Sequence, residues 1–192
     1  MSYISLSGNI AVGKSTALQG LKDLGYNVVF ENLDEEFLGL LAAYNNDPHN
    51  AIHLQSYIND YRLTDAEDST RNSDLFIHER SMIDDMVFTT YMIAKGEITV
   101  AAGSKFLDLA TERLMKNPPT KVIYLYSDPE VTYSRLVSRG RSQESGQTLL
   151  KIAELEQAHL TILPLICEEL GVELVELDWS NFGNISRVAN LI

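Results

Sequence analysis

The run Gly8-Asn9-Ile10-Ala11-Val12-Gly13-Lys14-Ser15, continued by Thr16, fits the pattern G-x-x-x-x-G-K-[ST] between a β-rich stretch and a helical one. Each position has a physical task. The glycines let successive backbone N–H groups, with those of Asn9 and Ala11, converge on phosphate oxygens, Lys14 adds a point charge, and Ser15 offers an oxygen to Mg²⁺ at a helix N-terminus. A nucleoside triphosphate is the ligand this arrangement suits. A chance match in 192 residues has odds of roughly 1 in 100 before the flanking pattern is counted, so the motif is specific.

A phosphate-binding loop serves switches, motors and kinases alike, and the second ligand must be read from the ends of the other strands. The second β-rich run delivers Glu31 and the third delivers Glu79-Arg80-Ser81. One carboxylate can accept the proton of an attacking hydroxyl, the other can hold Mg²⁺, and the arginine can meet developing phosphate charge. The alternative is ordinary polar strand ends making caps and surface pairs. Gln55, Asn59 and Arg62 follow Asp47-Pro48 at spacings i, i+4 and i+7 and share one helix face, which is either solvated or fitted to the edge of a nucleobase. Arg135 and Arg139 lie one turn apart, with Arg141 and Glu144 just beyond Gly140. They form either a lid that closes over a triphosphate or a basic helix end that balances the helix dipole.

The elements that must position these groups are legible as alternating runs. Strands are predicted at Tyr3 to Ser7, Asn27 to Glu31, Asp74 to His78, Lys121 to Ser127 and Val172 to Leu177, with helices between them. Successive βαβ units of this kind force a parallel sheet covered on both faces, a three-layer α/β sandwich. One helix begins at Lys14 and closes at Gly25. Another opens at Asp128-Pro129-Glu130 and runs to 139, and Pro118-Pro119 ends the helix carrying Thr111 to Lys116. A long helix from about 147 to 170 contains Pro164 and stops at Gly171. The hydrophilic stretch Thr64 to Ser73 reads equally as a helix end or a loop.

Composition narrows the partners. The length of 192 residues suits one domain, 1–192, and 45% hydrophobic with 22% charged residues is the balance of an ordinary globular fold. A net charge of −12 repels a nucleic-acid backbone. The one cysteine, Cys167, sits in an apolar run and reads as an inert buried thiol, consistent with a reducing cytoplasm. No run approaches the ~20 apolar residues of a membrane span, and no basic leader precedes the first strand.

Taken in order, Gly8 to Thr16, Glu31, Gln55-Ser56-Tyr57, Glu79-Arg80-Ser81 and Arg135-x-x-x-Arg139-Gly140-Arg141 resemble the deoxynucleoside kinase family, over about residues 2 to 182. The resemblance implies a P-loop kinase fold with a five-stranded parallel sheet, an Arg-rich lid, and transfer of the γ-phosphate of ATP, with Mg²⁺, to the 5′-hydroxyl of a deoxynucleoside. It implies Glu31 as general base, Glu79 as the magnesium-associated carboxylate, and Arg80 as the bridge between base and phosphates. Gln55 would hydrogen-bond the nucleobase, Tyr44 with Glu144 would hold the sugar 3′-hydroxyl, and Arg135, Arg139 and Arg141 would form the lid. Asn181-Phe182 falls at the donor-base loop. Arg62 with Asp85 suits a purine or cytosine better than thymine. The chain departs from the family pattern at Asn32, at Glu36 beside Phe37, at Thr89 beside Phe88, and at Gln143. A homodimer active in deoxynucleotide salvage is the assembly and role the family implies.

Two rivals share the loop. A nucleoside monophosphate kinase has the same cradle, sheet and lid, but Glu31 at ~4 Å from an acceptor phosphate would cost roughly 4 kcal/mol per charge pair unless Arg62 and Arg80 screened it. A switch or binding module without phosphoryl transfer would need guanine-reading features, and the sequence has no N-K-x-D run.

Overall fold

A computed structural model of the chain describes residues 3–31, 34–71, 74–141, 146–181 and 183–192. Its five described strands are β1 (Tyr3–Gly8), β2 (Asn27–Val29), β3 (Phe76–Glu79), β4 (Lys121–Tyr126) and β5 (Glu173–Asp178). They form one sheet in the order β2-β3-β1-β4-β5, every pair parallel. The fold is the α/β arrangement expected from the alternating runs. β1 is buried along its whole length between β3 and β4, which is why it carries no outward polar side that would mark an edge.

Helices cover both faces. The helices α1 (Lys14–Asp23) and α8 (Ile185–Ala189) close one side, where Leu6, Leu18, Leu21, Ile123, Leu125 and Trp179 share a core. On the other side lie α4 (Met82–Ala94), α5 (Val100–Lys116) and α7 (Leu149–Leu170), with Ile83, Val87, Leu114, Tyr124 and Leu163 packed between them and the sheet. Cys167 is buried in that core, and burial pushes its thiol up to about 12, as an inert structural thiol should be. A third cluster gathers Phe37, Tyr44, Leu54, Ile58, Tyr91, Met92 and Leu155. They come from α2 (Glu35–Asn46), α3 (Ala51–Thr70), α4 and α7, and they form the apolar wall of the site described below.

The boundaries follow local chemistry. Asp34 caps α2 by accepting from Phe37 N, Thr99 caps α5, Thr148 caps α7, and Asp128 with Pro129 opens α6 (Pro129–Arg139). Gly140 and Gly171 end α6 and α7 in the left-handed region. Several predicted boundaries shift by one or two residues, and two outcomes bear on the site. β2 stops at Val29, so Glu31 stands two residues beyond the strand, and the stretch that read as helix or loop is helix as far as Thr70.

Candidate active site

At the C-terminal end of β1 the chain leaves the sheet through Gly8, whose φ is 147°. A Cβ there would stand 2.5 Å from Leu125 O, so a side chain is excluded by β4 itself. Ala11 (φ 62°) and Gly13 (φ 113°) then take left-handed turns that curl the loop into a nest of amides at the start of α1. Asn9 fastens the loop from behind. Its Nδ2 donates to Ile152 O at 2.8 Å and to Glu156 Oε2 at 3.0 Å, both on α7, while its Oδ1 accepts from Ile10 N.

Lys14 is buried, and its Nζ donates to Gly8 O at 3.1 Å and Asn9 O at 2.8 Å. Burial, reinforced by the Arg80 charge, pulls its ammonium down to about 7, against the opposing pull of Glu79 and Glu31. A cation held this way gains sharply when an anion arrives. Ser15 Oγ donates to Glu79 Oε1 at 2.6 Å, and the other Glu79 oxygen lies 3.3 Å from Glu31 N. A hydroxyl and a carboxylate side by side at the phosphate loop are hard oxygen donors of the kind Mg²⁺ takes together with phosphate oxygens, so these two residues fit that ion. Among the described residues, no cluster of three His, Cys, Asp or Glu side chains forms a protein-only metal site.

Glu31 meets two arginines. Arg62 NH2 is 2.7 Å from Glu31 Oε1 and Arg80 Nε is 3.9 Å from it. Burial by itself would raise this carboxyl, but Arg62, Arg80 and Lys14 together hold it below the usual range. Arg62 also donates to Asp85 Oδ1 at 2.8 Å and to Glu79 O at 3.1 Å. The polar stripe on α3 is therefore not solvated, since Gln55, Asn59 and Arg62 are all buried. Asp85 is buried too, and the loss of solvent outweighs Arg62 and moves its carboxyl up to about 6. Arg80 sits at φ 70°, an uncommon backbone for a non-glycine residue. Its guanidinium packs over the Phe88 ring and donates to Asp84 Oδ1 at 3.2 Å.

A cavity of about 430 Å³ joins these parts. Its lining includes Ala11, Gly13, Lys14 and Ser15 of the phosphate loop, Glu79, Arg139 and Arg141, and also Glu31, Tyr44, Gln55, Arg62, Arg80, Asp85 and Lys151. Gln55 Oε1, though buried, has no hydrogen-bond partner among the described residues, which leaves an acceptor in the cavity lining open to a ligand.

Residues 4–191 match the sequence pattern of the deoxynucleoside kinase family. The chain belongs to the deoxynucleoside kinase family. As a member it is a kinase that uses ATP. A deoxyguanosine kinase of Dictyostelium discoideum is 29% identical, over 98% of this chain and 68% of its own. A probable deoxycytidine kinase of fowlpox virus is 33% identical, over 74% of this chain and 63% of its own. More distantly, a thymidylate kinase of Helicobacter acinonychis is 24% identical, over 92% of this chain and 89% of its own. The solved structure of a deoxyadenosine kinase from M. mycoides with bound dATP superposes with a TM-score of 0.84 at 19% identity. It covers 100% of this chain and 98% of that one, a likeness of fold.

In this deoxynucleoside kinase most of the sequence-predicted residues converge on the cavity. Gly8, Asn9 and Thr16 do not line it: Gly8 and Asn9 support the loop from behind, and Thr16 lies on an exposed turn of α1. Arg135, read from the sequence as a lid arginine, also stays out of the lining. It donates to Val12 O at 2.9 Å, Trp179 O at 3.0 Å and Ser180 O at 2.7 Å, and so ties the phosphate loop to the segment after β5. Glu144, Gln143, Asn32 and Phe182 lie outside the described residues.

Asp84, which pairs with Arg80, and Lys151, in the cavity lining, are side chains at the site that the sequence did not single out. Asp84 accepts from Ser7 Oγ at 2.6 Å and from Ser81 N at 3.0 Å besides Arg80. Its burial would raise its carboxyl, yet Arg80, His159 and Ser7 hold it below the usual range. The signal was present, because Ser81-x-x-Asp84 is a capping box for α4. Lys151 carries no comparable local signal.

Proposed function

We propose that this kinase transfers the γ-phosphoryl group of MgATP to the 5′-hydroxyl of a deoxynucleoside, with purine nucleosides or deoxycytidine accepted ahead of thymidine. The observation that carries the reading is Glu31: a carboxylate held ionised by Arg62, in one cavity with the phosphate loop and with the unpartnered Gln55. Ionised at neutral pH, it is ready to orient the acceptor hydroxyl and take its proton as the bond to phosphorus forms. Lys14 and the loop amides hold the donor, Ser15 and Glu79 hold Mg²⁺, and Arg80 with Arg139 and Arg141 meets charge spreading over the transferred oxygens. Mg²⁺, when bound, supplies neutralisation of the departing diphosphate.

Gln55 with the buried Arg62–Asp85 pair favours an acceptor base bearing an amino group. The relatives named for deoxyguanosine, deoxycytidine and deoxyadenosine support the same preference. The reading includes a single domain and a homodimer that serves cytoplasmic deoxynucleotide salvage and binds neither nucleic-acid polymers nor membranes. None of the described helices is long and apolar enough to cross a membrane.

A deoxynucleoside monophosphate kinase is the second reading, favoured by the thymidylate kinase relative. An ADP-release assay with MgATP against the four deoxynucleosides and the four deoxynucleoside monophosphates separates the two. Turnover of deoxyadenosine, deoxyguanosine or deoxycytidine, lost by 10²- to 10⁴-fold in Glu31→Ala, is the expected result. Turnover of monophosphates alone would reassign the acceptor, and a preference for thymidine would remove the role given to Arg62 and Asp85.

A further inference from the structure

Lys151 lies in the first turn of α7 and lines the cavity beside Tyr44, whose apolar wall also holds Tyr91 and Leu155. Its Nζ donates to Tyr44 Oη at 3.0 Å and lies 4.9 Å from the centre of the Tyr44 ring. Among the described residues no carboxylate stands within 4.0 Å of it, so its hydrogen-bond partner is a neutral hydroxyl. Tyr44 in turn donates its own proton to Glu97 Oε2 at 2.9 Å. The polarity of the relay is therefore fixed: Lys151 presents further N–H groups, and Tyr44 Oη presents only a lone pair.

A ligand atom that fits both must accept from an ammonium and donate to a phenolic oxygen, and that atom is a hydroxyl oxygen. A phosphate would satisfy Lys151 but can give Tyr44 no proton, and it would face the Glu97 carboxylate behind Tyr44. A carbonyl likewise has nothing to donate. Of the two hydroxyls of a 2′-deoxynucleoside, the 5′ one is consumed at Glu31, which leaves the 3′.

We infer that Lys151 is a substrate-contacting specificity residue: it donates to the acceptor's 3′-hydroxyl while that hydroxyl donates to Tyr44, with Glu97 fixing the direction. The inference rests on the deoxynucleoside reading above. The resemblance assigns the sugar to Tyr44 and Glu144, and Lys151 and Glu97 are what this chain adds.

The test takes the deoxynucleoside that the wild-type enzyme phosphorylates fastest and its 2′,3′-dideoxy counterpart. Wild type, Lys151→Met and Lys151→Gln are compared by kcat/KM, with folding followed by circular dichroism and with KM for ATP as the control. Wild type should prefer the 3′-hydroxyl by about 10- to 100-fold. In both variants the deoxynucleoside should fall by about tenfold while the dideoxy compound and KM for ATP hold within about twofold, so that the preference collapses. A full preference surviving in a folded variant overturns the inference, and so does a wild type indifferent to the 3′-hydroxyl, whether or not the variants fold. Wild-type turnover of no nucleoside at all overturns the acceptor assignment and this inference with it.

Discussion

Arg62 reaches Glu31 at 2.7 Å, closer than the 3.9 Å of Arg80, although Arg80 follows the strand-end carboxylate in sequence and Arg62 comes from the middle of a helix. With its other nitrogens on Asp85 and on the backbone of Glu79, Arg62 connects Glu31 to Asp85 and to the end of β3. Glu31, the proposed proton acceptor, and Asp85, the proposed base reader, thus share one guanidinium, and a change at either is felt by the other.

Removing that guanidinium leaves the half-buried Glu31 with the weaker help of Arg80 and Lys14. Because the pairing lowers the Glu31 pKa, its loss must raise it. Arg62→Met should move the acid limb of the kcat/KM–pH profile to higher pH and reduce kcat at neutral pH by about 10²-fold. An acid limb that stays in place would mean that Glu31 is not the group titrating there.

Lys14 is a stability liability in the empty protein. Its folded pKa of about 7 lies below the 10.5 of the free side chain. Between those values the unfolded chain holds the extra proton, so the penalty is greatest near and below pH 7 and vanishes as pH approaches 10.5. Lys14→Met should therefore be more stable than wild type in urea at pH 7 by about 2–4 kcal/mol, the gap closing in alkaline buffer, while ATP no longer raises its Tm. A less stable Lys14→Met protein at pH 7 would contradict this.

The 2.6 Å contact between Ser15 and Glu79 predicts a shared metal dependence. Titrating Mg²⁺ at fixed ATP, Ser15→Ala and Glu79→Gln should each raise the half-saturating concentration by about 10- to 100-fold, and the double variant should lose less than the product of the two. Independent effects that multiply would place the two residues at separate tasks.

Asp84 joins β1, Arg80 and the first turn of α4 through one buried carboxylate. Asp84→Ala should cost about 3–5 kcal/mol in urea melts, and Asp84→Asn less because it keeps an oxygen for the cap. Since the folded pKa lies below 3.8, the charge's contribution is present above that pH and is lost as pH falls through the folded value. The difference between wild type and Asp84→Asn should therefore shrink in strong acid.

The phosphate loop, Glu31 and Glu79-Arg80 were legible because strand ends in an open parallel sheet are where ligands bind, and the alternation of runs revealed the sheet. The fate of the α3 stripe was not legible, since it turns on α2 and α4 closing over Gln55 and Arg62, contacts between distant segments that helical spacing does not report. Arg135 shows the same limit. Its spacing matches Arg139, but its guanidinium is taken by carbonyls at Val12, Trp179 and Ser180. Lys151 was hidden for a related reason, because its partner Tyr44 lies 107 residues earlier in the chain.

The grip of α7 on Asn9 bears on how the protein is made. The anchors of Asn9, the Ile152 carbonyl and the Glu156 side chain, lie 143 and 147 positions later in the chain. On the ribosome the phosphate loop emerges well before α7 and waits for the helix that sets its shape. Nascent chains stalled before α7 leaves the exit tunnel should show little affinity for nucleotide, and binding should switch on only once α7 has emerged.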